Sequence, residues 1–254
     1  FEEISFYPMA LTYSNAYGLD IHSISRKTLN RLKDKLKAFS DVDIHAPWGK
    51  GLSLLSIHSV VRNATIEYLK DVIDFANKIG ANTITLHIDD GFDKLNAKEI
   101  CKKMRFQNLC DSLKILDKIA FSKGLKLGLE ITQDYDLPDK LELKATGLTL
   151  DTGHIVAGKG EKFDTRNDIG KIIKKFSHRI YHLHIHDYNL QKKVDHIAIG
   201  KGVIDFKEII KTLKDICYKG SLCLELNPDK CTIGDIIKSR DTLKNYGLVG
   251  EDRP

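Results

Sequence analysis

A chain of 254 residues with 42% hydrophobic and 30% charged side chains, 18 Gly and 5 Pro has the balance of a folded globular protein, which excludes a disordered or collagen-like chain. It holds no run of 18 or more apolar residues, and Phe1-Glu2-Glu3-Ile4 lacks the basic start of a signal peptide, so the expectation is a cytoplasmic protein with no membrane partner. Lys and Arg outnumber Asp and Glu by 40 to 35, a formal charge of +5 spread over mixed faces such as Lys33-Asp34-Lys35, which permits a phosphorylated or nucleic-acid ligand without demanding one. The chain opens on a short strand-like run, Glu3 to Tyr7, and then alternates helical stretches with aliphatic, β-branched runs. In order these are a helix Ser25 to Phe39, a strand Val42 to Ala46, a helix Thr65 to Ile79, a strand Asn82 to Ile88 and a helix Ala97 to Phe121. Strands Lys126 to Ile131 and Gly147 to Leu150 follow, then a helix Asp168 to Ser177, a strand Ile180 to His186, a helix Phe206 to Tyr218, a strand Ser221 to Leu226 and a last helix Ile233 to Tyr246. Gly80, Gly124 and Gly220 stand where left-handed glycines end helices, and Asp205 is the expected N-cap of the helix after it.

Strand followed by helix, repeated without a Pro- or Ser-rich linker, predicts one α/β domain over residues 1–254 built on a parallel sheet. The positions of the polar residues select the architecture. His45, His87, Glu130, Asp151, His184 and Glu225 each end a predicted strand, and a closed (β/α)8 barrel, a TIM barrel, gathers all its strand ends at one mouth where an open sheet concentrates its site at one switch point. Such a barrel needs eight strands and the chain shows β2 to β8 of that count, so the first βα unit, about 25 to 30 residues, is expected to lie ahead of Phe1. The five cysteines form neither a C-x-x-C pair nor a zinc-ribbon spacing and read as reduced, mostly buried thiols.

A period of two along Tyr181 to His186 puts Tyr181, Leu183 and Ile185 on one face and His182, His184 and His186 on the other. His182 is the deepest and is expected to be a hydrogen-bonded core histidine, while His186 at the rim is read as a substrate contact or a support for its neighbours. Glu130, Asp151 and Glu225 pointing into one mouth would repel one another unless a cation neutralised them. The expected cofactor is therefore a divalent metal, Mn, Mg, Co or Zn, with histidines favouring Zn.

The series Asp43 to Trp48, Leu86-His87, Leu129-Glu130, Leu150-Asp151-Thr152-Gly153-His154, His184-Ile185-His186-Asp187, Asp195 to Phe206 and Leu224-Glu225 resembles the xylose isomerase-like TIM barrel superfamily over essentially the whole chain. That superfamily contains sugar phosphate isomerases and epimerases and the endonuclease IV family of apurinic/apyrimidinic endonucleases. The resemblance implies Glu130, Asp151, His184 and Glu225 as metal ligands, with Glu130 and Glu225 catalytic, exchanging a proton on opposite faces of a metal-bound enediolate. His154 and His196 are then substrate-binding, joined by His186 and Trp48, and His45, His87, His154 and His196 are positions for a further metal. Gly200-Lys201-Gly202 lacks the context of a phosphate-binding P-loop and reads as a turn.

The leading expectation is a divalent-metal-dependent isomerase or epimerase of a sugar or sugar phosphate. The alternative is a zinc-dependent apurinic/apyrimidinic endonuclease, the one reading with a nucleic-acid partner. Two departures weigh against it: Val194 stands where that family has an aspartate, and Ile131 to Tyr135 replaces its glycine-rich loop. A third reading is a barrel that binds a metal and a ligand without turnover. Substrate choice is assigned to the loops Gly49–Ser59, Asp89–Asn96, Gln133–Leu143 and Gly158–Asn167, with Lys159, Lys162 and Arg166 as candidates to meet a phosphate and Trp48 with Lys50 as rim residues. The superfamily also allows a homo-oligomer.

Overall fold

The structure, a computed structural model, describes residues 3–6, 20–49, 51–88, 99–164 and 167–247. The chain forms two compact units, residues 1–149 and 150–254. In the first, strands β1 (Glu3–Phe6), β2 (Asp41–His45), β3 (Thr83–His87), β4 (Lys126–Glu130) and β5 (Thr146–Asp151) pair in parallel with each neighbour in chain order. Parallel neighbours need crossovers, supplied here by helices α1 (Arg26–Leu36), α2 (Ser59–Ile79), α3 (Glu99–Ser122) and the single turn α4 (Leu137–Lys140). The strands bury Ile44, Ile84, Leu127, Leu129 and Leu148. From the helices come Val72, Ile73 and Ala76 at helical spacing on α2, and Leu113, Leu116 and Ala120 on α3. Each fully buried Leu or Ile contributes about 1.5 to 3 kcal/mol over an exposed one.

Two polar devices tie this unit together. The buried Asp117 carboxylate on α3 accepts from Lys144 N, Ala145 N and Thr146 Oγ1 at 3.1, 2.8 and 2.7 Å, fixing where β5 begins. Thr149 reaches past β4 to the Thr85 hydroxyl at 2.9 Å because Gly128 lies between them, and a Cβ there would overlap the Thr149 side chain. Helices α2 and α3 are each followed by a glycine at positive φ, Gly80 at 79° and Gly124 at 69°, as the sequence predicts. Helix α2 begins six residues before the predicted Thr65, because its first turn is exposed, Val60 at 80%, and the buried face that signals a helix starts only at Thr65.

The second unit holds α5 (Thr152–Lys159), a 3-10 turn (Gly160–Lys162), α6 (Asp168–Phe176), β6 (Ile180–Ile185), the strands β7 (Asp187–Asn189) and β8 (Val194–Ile197), α7 (Phe206–Asp215), β9 (Ser221–Leu224) and α8 (Ile233–Asn245). Strands β6 and β9 pair in parallel, and β7 and β8 form an antiparallel hairpin. Asp205 caps α7, accepting from Glu208 N at 3.1 Å. The expected helix-ending role of Gly220 is overturned: α7 stops at Asp215 and Cys217 takes the left-handed conformation, φ 52°. Gly220 is instead where the Tyr218 ring and the Tyr181 carbonyl leave no room for a Cβ. The cysteines are free, but contrary to the expectation that they are mostly buried only Cys110 and Cys231 are, with Cys101 and Cys223 half-buried and Cys217 exposed. Among the described residues no helix is long and apolar enough to cross a membrane.

Candidate metal centre

In the first unit β2, β3 and β4 end on His45, His87 and Glu130, the last two in register. His87 Nε2 lies 3.1 Å from both Glu130 Oε2 and His45 Nε2, and His45 Nε2 lies 3.7 Å from the same carboxylate oxygen. His45 Nδ1 donates to the Ala46 carbonyl at 3.0 Å, which leaves a lone pair on Nε2, the tautomer of a metal-ligating histidine. Trp48, 52% exposed, stacks on His87 with ring centroids 4.8 Å apart, beside a small cleft lined by Pro47, Leu52, Leu54 and Leu86.

In the second unit Asp151 closes β5 and caps α5, accepting from His154 N at 2.6 Å. His184, the fifth residue of β6, places Nδ1 2.8 Å from Glu225 Oε2 and 3.9 Å from Asp151 Oδ2. Glu225 directly follows β9 and extends the ladder by donating its N–H to Ile185 O at 3.2 Å. His154 Nδ1 stands 3.7 Å from Asp151 Oδ2, and His196 Nε2 stands 3.8 Å from Glu225 Oε2. His186 is not at a rim: it is fully buried, with Nε2 2.9 Å from Asp151 Oδ2. His182 pairs with Ser221 Oγ at 2.7 Å in the core. The second unit thus brings Asp151, His154, His184, His186, His196 and Glu225 together, and the first brings His45, Trp48, His87 and Glu130 together.

The electrostatics follow from burial and charge. Burial pushes the His186 pKa down, but the charge and hydrogen bond of Asp151 outweigh it and the net shift is upward. At His196 burial and the neighbouring His186 win, and its pKa is lowered. Asp195 points at Lys230 Nζ, 3.0 Å, and at His196 Nδ1, 3.2 Å; burial raises its pKa, but these partners hold it down at about 2.

Chemically, Asp151, His184 and Glu225 offer two carboxylates and one imidazole with side chains 1%, 3% and 18% exposed. Two carboxylates converging on His184, with the imidazoles of His154, His186 and His196 around them and little water, suit a divalent cation of the hard or borderline kind, so the residues fit the metal that the sequence implies.

Sequence reasoning assigned no role to Thr152, whose hydroxyl bonds to the carbonyls of His184 and His186 at 3.2 and 2.9 Å, or to Asp187. The wholly buried Asp187 carboxylate accepts from Tyr188, Gly200, Gly202 and Ile204 N–H groups and builds the turn read at Gly200-Lys201-Gly202. Both lie inside quoted motifs, which is the only signal that marks them. Lys159 is paired with Asp168 at 3.2 Å, and Lys162 is exposed on the 3-10 turn. Lys50, Arg166 and the loop Asp89–Asn96 lie outside the described residues.

Comparison with known proteins places these observations. An uncharacterized protein of Methanocaldococcus jannaschii is 27% identical over 234 residues, 87% of this chain and 74% of that protein. An inosose dehydratase of Clostridium perfringens is 26% identical over 239 residues, 80% of this chain and 77% of that protein. The crystal structure of a D-tagatose 3-epimerase-like protein superposes with a TM-score of 0.73 at 23% identity, over 97% of this chain and 88% of that one, a likeness of fold. The model of the family described as xylose isomerase-like TIM barrel matches residues 4–246. A match of that extent, with the barrel class that the strand ends predict, means that the chain belongs to the xylose isomerase-like TIM barrel family.

Proposed function

We propose that the protein is a divalent-metal-dependent enzyme that isomerises or epimerises a sugar or sugar phosphate by moving a proton next to its carbonyl group. The observation that carries this reading is the convergence of buried Asp151 and His184 with half-buried Glu225, the imidazole lying 3.9 and 2.8 Å from the two carboxylates. The relatives' names, an inosose dehydratase and a D-tagatose 3-epimerase-like protein, support sugar chemistry. Epimerisation and loss of water beside a carbonyl share a first step, removal of the proton on the adjoining carbon.

Asp151, His184 and Glu225 would hold the ion, with Glu130 added by the family resemblance. Such an ion supplies positive charge that polarises the substrate carbonyl and acidifies the neighbouring C–H. Glu225, the more open carboxylate of the set, takes the proton from one face, and Glu130, by the same resemblance, is the group that returns one to the other. Asp151, buried and hydrogen-bonded to His154 N and His186, is held in a fixed orientation. His154 and His196, with side chains 28% and 23% exposed, are open enough to meet substrate hydroxyls, and Trp48 is a further substrate contact by the family resemblance alone.

The test is to incubate the enzyme with Mn2+ and a panel of ketoses in D2O and follow deuterium entry beside the carbonyl by NMR. Exchange that EDTA abolishes is expected; no exchange with any sugar, free or phosphorylated, overturns the reading. A second reading, zinc-dependent phosphodiester hydrolysis, is favoured by one observation, that His45, His87 and Glu130 offer a further place for an ion. Two or three zinc ions per chain together with cleavage of abasic DNA would put that reading first.

A further inference from the structure

We propose that His186 is the positioning residue for Asp151: its Nε2–H holds the carboxylate in the orientation that receives the metal ion, while His186 itself neither ligates the ion nor touches the substrate. The inference rests on the metal reading above and assigns one residue of that site a defined part.

Substrate contact is excluded by burial, since the ring has no exposed surface. Ligation is excluded by the tautomer. His196 N lies 2.9 Å from His186 Nδ1, and a backbone N–H can only donate, so Nδ1 must accept. The Asp187 carbonyl, 3.3 Å from the same atom, is the more distant competitor. A neutral imidazole whose Nδ1 accepts carries its proton on Nε2, and Nε2 sits 2.9 Å from each oxygen of Asp151. A protonated Nε2 has no lone pair for a cation. This separates His186 from Asp151, His154 and His196, although one donor atom from each of the four lies within 4.8 Å of the others.

The Asp151 carboxylate is therefore gripped from two sides. His154 N donates to Oδ1 at 2.6 Å as the cap of α5, and His186 Nε2–H restrains its rotation. The His186 ring is itself fixed by its surroundings. His196 stacks on it, centroids 3.9 Å apart and planes 13° from parallel. Gly153 faces it without a Cβ, which would overlap the ring. His196 delivers its N–H from a left-handed backbone conformation, φ 51°, strained for a non-glycine residue. That conformation is braced by Asn227 N–H on the His196 carbonyl at 3.0 Å and by Lys230 Nζ on the Asp195 carbonyl at 3.1 Å.

The experiment is a Mn2+ titration of chelator-stripped full-length protein, read by the electron paramagnetic resonance of free Mn2+, with thermal melts of the stripped forms alongside. His186→Leu removes the donor, Gly153→Ala pushes the intact ring off Asp151, and His186→Gln keeps an amide N–H at the same reach. Expected are a roughly 10- to 100-fold weaker affinity in the first two, recovery of most of it in His186→Gln, and one ion count in all the forms. A stripped His186→Leu that fails to fold leaves the comparison to Gly153→Ala and His186→Gln. Wild-type affinity in the variants lacking the grip, or loss of one ion per chain in His186→Gln, overturns the inference while the metal reading stands. A wild-type protein that binds no Mn2+, Co2+ or Zn2+ overturns both.

Discussion

At the scale of single residues, the carboxylates of this chain differ in what surrounds them, and their variants should separate accordingly. Glu225 touches His184 at 2.8 Å and keeps 18% of its side chain open, so Glu225→Gln preserves shape and a hydrogen-bonding oxygen but removes the proposed base. We expect turnover to fall by at least about 100-fold with the melting temperature of the metal-free protein unchanged; a variant as active as wild type removes Glu225 from the chemistry. Asp195 is different, because its pKa near 2 comes from Lys230 and His196 against the cost of burial. A carboxylate held below its unfolded value of about 3.9 contributes stability that is fully present above pH 4 and is lost as pH falls through 2. The pair is more than a third exposed, so solvent screens it and the effect is small. Melts of wild type and Asp195→Asn at low salt should differ above pH 4 and converge by pH 2, and a gap that widens toward acid contradicts the assignment.

At the scale of elements, the sequence is most legible where burial is periodic. All seven expected strands form within two residues of their predicted ends, because each places aliphatic or β-branched residues in a run or at every second position between polar residues or glycine. The hairpin β7–β8 escapes such reading: it is short, rich in Asp, Asn and Lys, and half-buried along β8, so no apolar alternation marks it. Helix α5 escapes for a related reason, having two glycines in eight residues. The candidate ligands were legible because each ends a strand, whereas the supporting Thr152, Gly153 and Asp187 act through contacts distant in sequence. Asp187 shows what that omission hides. Its buried carboxylate holds four backbone N–H groups from Tyr188, Gly200, Gly202 and Ile204, so it closes the segment between the hairpin and α7. Asp187→Ala strands those donors, and we expect a loss of about 2 to 4 kcal/mol, measured as a lower urea midpoint. Asp187→Asn, keeping one acceptor oxygen, should lose less; equal stability of all three forms would make the cradle energetically idle.

At the scale of the whole molecule, a metal that binds only the folded chain must raise its stability by mass action. On the proposed reading, the carboxylates of Asp151 and Glu225 around His184 carry a solvation cost that a divalent ion would offset, so the stripped protein should be the less stable form. At an ion concentration 100 times the dissociation constant the gain is about 2.7 kcal/mol, which in a chain of 254 residues corresponds to a rise of about 5 to 10 °C in melting temperature. The rise should grow with the logarithm of ion concentration and vanish with EDTA. It should also shrink in Asp151→Asn, which keeps a cap for α5 but removes a ligand charge. The identity of the ion is open to the same measurement, since oxygen-rich ligation with one imidazole accepts Mn2+, Mg2+, Co2+ or Zn2+ with different affinities. A rise with Zn2+ alone would bring the histidines of the site into the ligand set, whereas a rise with Mn2+ or Co2+ matches the carboxylate-led set at Asp151 and Glu225. No shift with any divalent ion would mean that the surrounding imidazoles balance Asp151 and Glu225 by themselves, and would remove the metal from the proposed chemistry.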